Sequence, residues 1–204
     1  MQINTAQHDA LVELLNIGFG RAGASLSKLT GQRVLLEVPQ VAVRPVDQLN
    51  QMVSELVKDE VASVHQAFSG PVGGDAMLLL DPMAASVLKE LLTDEPALPL
   101  DLDVSAREVL TEVGNIVLNA CIGTFGNLLK VPVSFALPDI DVDSLHVILD
   151  RLQKDRIGLR YALVITSAFR LRDSEVTGYV VIVLTVESLT RLLIALEVWE
   201  KSQG

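Results

Sequence analysis

Two short arrays of carboxylates and carboxamides stand out in the chain. Asp9, Glu13 and Asn16 fall at i, i+4 and i+7, and Glu108, Glu112 and Asn115 repeat that spacing. On a helix turning about 100° per residue, such positions share one narrow stripe. A carboxamide carries a donor and an acceptor, so it can hold a water molecule without adding charge. A carboxylate one turn away can pair with a cation or take a proton. The combination suits a hydrolysis in which the water is positioned. For a lone Glu-x-x-Asn, a solvated helix face is the better explanation. The distance to proline changes the odds: 22 residues separate Asn16 from Pro39, and 22 separate Asn115 from Pro138. Each Glu-x2-Asn-x22-Pro match arises roughly once in 8,000 starting positions, and two in one chain on the order of once in a thousand random sequences. Asn is also a mediocre helix former, and on a merely solvated stripe Lys or Gln would serve better.

The elements that must carry these residues repeat as well. Glu13-x-x-Asn16-Ile17 and Glu112-x-x-Asn115-Ile116 lie at an offset of 99 residues. A helix from about Thr5 to Leu29 places Leu11, Leu15, Ala22, Leu26 and Leu29 on the side opposite its polar stripe, facing a core. A second, from about Asp103 to Leu129, carries Glu108, Glu112, Asn115 and Asn119 on its polar stripe, with Leu110, Val113, Val117 and Cys121 on the apolar one. Both polar stripes are expected to face solvent or a partner together. Gln32 to Val43, containing Pro39, and Val131 to Val142, containing Pro138, are β-branched and aliphatic runs. Glu60 to Phe68 and Ala76 to Leu80 read as strands joined by a Gly/Pro turn; Arg156 to Leu171 and Gly178 to Thr185 form the same pair around Arg172-Asp173-Ser174. Each pair leads into an amphipathic helix, Pro82 to Leu92 and Glu187 to Trp199. Asp94 to Leu100, apolar and Pro-rich, reads as a packed connector.

The expected class is therefore α+β: two similar halves, about 5–93 and 103–199 of a single domain spanning 1–204, with antiparallel sheet covered by helices on one face. Each half runs helix, strand, short helix, strand, strand, helix, and a pseudo-two-fold axis would relate them.

Composition narrows the partners. The chain has 204 residues, half of them hydrophobic, and a formal net charge of −10. Mean hydropathy is +0.40, so a large core is available. The acidic balance argues against a binder of phosphate backbones and favours a partner that presents a basic rim or a lysine. The single cysteine, Cys121, excludes an internal disulfide and reads as a small buried hydrophobe. His8, His65 and His146 lack ligand-spaced partners, so neither a metal site nor a cofactor of its own is expected. Gly18, Gly20 and Gly23 cost helix stability, about 1 kcal/mol each, and are explained better by close packing than by phosphate cradling. No basic n-region or apolar h-region opens the chain, and its longest apolar stretches are too short for a bilayer, so a cytoplasmic location is expected.

With these residues assembled, the sequence resembles the CheC phosphatases of the CheC/CheX/FliY family of bacterial chemotaxis. Their pattern is Asp or Ser, three residues, Glu, two residues, Asn, 22 residues, Pro. The first half matches it at Asp9, Glu13, Asn16 and Pro39. The second matches at Glu112, Asn115 and Pro138, with Glu108 where the family has Asp or Ser. The resemblance implies hydrolysis of the aspartyl phosphate on a CheY-type response regulator. Asn16 and Asn115 would position the attacking water, and Glu13 and Glu112 would dock the regulator's lysine. Asp9 and Glu108 would support the sites, and Pro39 and Pro138 would shape the backbone beside them. Mg²⁺ would belong to the receiver.

Three alternatives accompany that expectation. One is a non-catalytic scaffold or partner for the receptor deamidase CheD. Another is a flagellar switch component of FliY or FliM type, disfavoured because about four residues precede the first helix and the chain ends soon after the last. The third is a CheX-like chain, which pairs as a dimer; two tetrads in one chain favour the CheC-like arrangement and a monomer.

Overall fold

The computed structural model describes residues 3–49, 51, 53, 60–93, 103–155, 159–171 and 174–203. The expected connector at 94–100 and the turn residues Arg172 and Asp173 lie outside them. The first helix, α1 (Thr5–Thr30), opens on a capping box. The Asn4 side chain accepts from the Gln7 N–H, and the Gln7 side chain bonds back to the Asn4 N–H. It closes on Gly31 in the left-handed region. After the strands β1 (Val34–Pro45), β2 (Glu60–Ser69) and β3 (Gly74–Leu80) comes α2 (Pro82–Thr93). A second long helix, α3 (Val104–Leu129), is capped by the Asp103 carboxylate on the Ala106 N–H and closes on Lys130, again left-handed.

Both ends of α3, and both of its caps, therefore stand 99 residues after those of α1. The order continues with β4 (Ser134–Phe135), β5 (Asp139–Ser144), α4 (Leu145–Asp155), β6 (Leu159–Leu171), β7 (Ser174–Thr185) and α5 (Val186–Gln203).

All strands join one antiparallel sheet in the order β1-β6-β7-β3-β2-β4, with β5 also on β2. The outer strand of each half thus pairs with the other half, β1 on β6 and β4/β5 on β2, while β3 and β7 meet at the centre. The order reads alike from either edge.

One face of the sheet carries Val64, Phe68, Leu78, Leu163, Phe169 and Ile182, packed under α1, α2, α3 and α5. Phe19, Phe125 and Phe169 are fully buried there. Although α3 is long and apolar enough to cross a membrane, Leu110, Val113, Val117 and Cys121 spend its apolar side on this core.

The expectation of helices on one face is corrected. Leu145, Ile148 and Leu149 of α4 cover the other face with Leu49 and Val53, against Val61, Met77, Leu79, Val181 and Val183. The cause lies in the central strands. Every residue of β3 is buried, so both of its faces need cover, as in any strand that reads as a continuous apolar run. A second correction concerns Leu29, which is 58% exposed. The buried side of α1 ends at Leu26, one turn before the helix does.

Candidate functional site

On α1, the residues between the stripe positions are buried, except the half-buried Val12, and the stripe itself is not. Leu11, Leu14 and Leu15 enter the core, while Asp9, Glu13 and Asn16 are exposed. On α3, Glu108 and Glu112 are likewise exposed, but Asn115 and Asn119 are half-buried. The expectation that both stripes face solvent therefore holds for the first and is corrected for the second, whose inner end reaches down to β2.

Each stripe stands beside a strand interrupted at its proline. In β1 the register against β6 shifts between Glu37 and Gln40, the stretch containing Val38 and Pro39. In the second half the run expected from Val131 to Val142 is broken: β4 ends at Phe135, β5 begins at Asp139, and Pro138 lies in the gap. Proline has no N–H to give to a ladder and is confined to bulges and edges; Pro39 lies in the edge strand β1, and Pro138 lies between the two strand pieces of the opposite edge. Five residues before each Glu, a side chain ties helix to strand just past the interruption. The His8 Nε2–H donates to the Val41 carbonyl at 3.1 Å, and Arg107 Nη1 donates to the Ile140 carbonyl at 3.5 Å. Those donors and acceptors are again 99 residues apart. His8 Nδ1 also lies 3.5 Å from an Asp9 oxygen.

Asn115 is held where Asn16 is not. Gln66 of β2, 1% exposed, donates from Nε2 to the Ala136 carbonyl at 3.0 Å and to Asn115 Oδ1 at 3.2 Å. Asn119 Nδ2 donates to the same Oδ1 at 2.8 Å. The Ala136 carbonyl fixes the orientation of all three amides. It can only accept, so Gln66 must turn its NH₂ towards it, Asn115 must meet that NH₂ with oxygen, and Asn119 must add a donor. Pro138 is what leaves this carbonyl available, because the ladder with β2 lapses after the Ala136 N–H bonds to the Ala67 carbonyl. Among the described residues nothing comparable holds Asn16.

Sequence reasoning missed Gln66. The signal was there: Ala62, Val64, Gln66 and Phe68 alternate onto the helix-covered face of β2, and a Gln in that register is a buried polar group in need of partners. Cys121 lies in the core as expected, and burial raises its thiol pKa far above the usual range, which removes it as a nucleophile. Gly18 and Gly23 also follow the packing explanation. A Cβ on Gly18 would stand 2.7 Å from Thr124 Oγ1 of α3, and one on Gly23 would stand 3.1 Å from the Val34 carbonyl of β1. Gly20 does not, since a Cβ there would meet open space.

No protein-family model matches the chain. Among solved structures it is similar to FliY of Thermotoga maritima, 16% identical with a TM-score of 0.75 over 97% of this chain and 98% of that one. It is similar to the FliM middle domain of H. pylori, 11% identical with a TM-score of 0.62 over 95% of this chain and 99% of that one. A CheC-like superfamily protein from Shewanella sp. PV-4 is 11% identical, with a TM-score of 0.52 over 89% of this chain and 99% of that one. The chain has the fold of the CheC/CheX/FliY family.

Proposed function

We propose that the protein is a phosphatase acting on the aspartyl phosphate of a CheY-type response regulator in chemotaxis signalling. The observation that carries this reading is the exposure of Asp9, Glu13 and Asn16 on a helix whose intervening residues Ala10, Leu11, Leu14 and Leu15 are buried in the core and whose Val12 packs half-buried against it. An acyl phosphate is an activated mixed anhydride, and transfer of its phosphoryl group passes through a loose transition state that asks little covalent help. The oxygen of a bound water bonds to phosphorus as the bond from phosphorus to the aspartate oxygen breaks. The aspartate leaves as carboxylate, both water protons end on phosphate oxygens, and inorganic phosphate departs.

Asn16 and Asn115 stand at the two carboxamide positions where a water would be held in this reading. Glu13 and Glu112 dock the regulator's lysine, because a carboxylate pressed against the phosphoryl group would be repelled. Asp9 and Glu108 support from one turn earlier, and the substrate's own Mg²⁺ neutralises phosphoryl charge. We read the two halves as an internal duplication; matching caps, helix lengths and strand order support it.

A second reading, a binding module of a flagellar switch or a scaffold for a partner such as CheD, draws on the higher TM-scores to FliY and the FliM middle domain. The decay of a phosphorylated CheY-type receiver, timed with and without the protein, separates the two. Acceleration is expected. An unchanged decay with every cognate receiver would leave the binding module.

A further inference from the structure

We infer that the two sites are not equivalent: hydrolysis is carried by the Asn16 site, while the Asn115 site is locked by Gln66 and Asn119 and serves to dock. The inference rests on the phosphatase reading and refines it.

A water that attacks phosphorus must aim a lone pair at it, so its hydrogens must be donated elsewhere. The group that receives one is the carboxamide oxygen. An oxygen of this kind accepts along two lone-pair directions. At Asn115 both are taken, by Gln66 Nε2 at 3.2 Å and Asn119 Nδ2 at 2.8 Å. What Asn115 can still offer is its NH₂, which can donate to the water but cannot accept its hydrogen. Rotating the amide is opposed by the chain of orientations that starts at the Ala136 carbonyl.

The first half lacks both locking groups. The residue four after Asn16, corresponding to Asn119 at the same 99-residue offset, is Gly20. Its Cβ would meet nothing within 4 Å, so no packing demand explains a glycine there. The place of Gln66 is taken by Ser167. Gln66 lies opposite the interruption between Phe135 and Asp139, since Phe68 pairs with Phe135 and His65 with Asp139. Ser167 lies opposite the shift at Val38–Pro39, since Ala168 pairs with Glu37 and Thr166 with Gln40. Ser167 shares the helix-covered face with Ile165 and Phe169 and is fully buried, yet its hydroxyl bonds to no described residue. Gly20 and Ser167 thus leave the Asn16 oxygen open. Glu112 remains exposed on the locked side and keeps its docking surface.

Receiver dephosphorylation by single variants tests the division. Asn16→Ala should lower the accelerated decay about tenfold or more beyond whatever loss Asn115→Ala causes. In the Asn16→Ala background, Gln66→Ser with Asn119→Gly copies the first half into the second and should restore part of the lost rate. Gly20→Asn, on an exposed face where folding is not at stake, should slow the wild type, whereas Gly20→Ala should not. Equal losses from Asn16→Ala and Asn115→Ala would overturn the inference and leave the phosphatase reading intact.

A second measurement is independent of activity. By NMR, the side-chain amide protons of Gln66 and Asn119 should exchange about tenfold or more slowly than those of Asn16, and Asn115→Ala should abolish that protection at Asn119. Equal exchange at all three would overturn the lock whatever the catalytic result.

Discussion

At the residue scale, glycine separates structural from functional demand. Gly18 sits where α1 meets α3, with Thr124 and the Ala120 carbonyl in the space a side chain would need. Gly18→Ala is expected to destabilise by about 1–3 kcal/mol, because the neighbours include backbone that cannot move aside. Gly20→Ala should instead stabilise by up to about 1 kcal/mol, since it enters open space on a helix. Chemical denaturation of the two variants reads both signs; destabilisation by Gly20→Ala would show that its surroundings are not open.

Cys121 supplies a second check at this scale. Burial raises its pKa, so the native state keeps a proton that the unfolded chain loses above about pH 8.5. The stability contributed by the neutral thiol is present below that pH and lost as pH rises beyond it. The native protein should therefore leave thiol reagents unreacted until it unfolds, and Cys121→Ala should flatten the alkaline loss of stability. Prompt modification under native conditions would contradict the burial.

At the element scale, the two long helices were legible because their signals are local. Asn4 and Asp103 precede periodic apolar runs, and Gly31 follows the first; the cap geometry agrees. Asp103→Ala should cost about 0.5–2 kcal/mol by freeing the Ala106 N–H, measured by thermal or denaturant unfolding. No loss would mean that another group caps α3.

What the sequence did not reveal at this scale depended on distant partners. The second cover of the sheet, α4, could not be inferred from the strands. A run such as Met77-Leu78-Leu79-Leu80 reads equally well under one layer or two. The division of Val131 to Val142 into β4 and β5 turns on Pro138 at a sheet edge, and edge position is a property of the assembled sheet. Gln66 escaped for the same reason: its partners lie 49 and 70 residues away, at Asn115 and Ala136. The exposure of Asp9, Glu13 and Asn16, by contrast, followed directly from helical spacing.

At the scale of the whole molecule, the halves exchange their outer strands. With β1 on β6, and β4 and β5 on β2, neither half contains all the pairing that its strands use. A fragment of residues 1–101 should therefore fail to fold as a monomer, showing little dispersion in an NMR amide spectrum. Mixing it with residues 102–204 should restore the native spectrum. A well-dispersed monomeric fragment would contradict the interdependence.

The same arrangement links fold to function. Each stripe stands beside a proline-interrupted strand that is held in place by the other half, so the sites share one scaffold although their side chains differ. The most direct test of the phosphatase reading follows receiver decay and receiver binding together, for the wild type and for the Asn16→Ala/Asn115→Ala double variant. The account predicts that the variant binds the phosphorylated receiver within about twofold of wild type while its acceleration of decay vanishes, because only the water-holding group has been removed. Acceleration that survives loss of both carboxamides would contradict it.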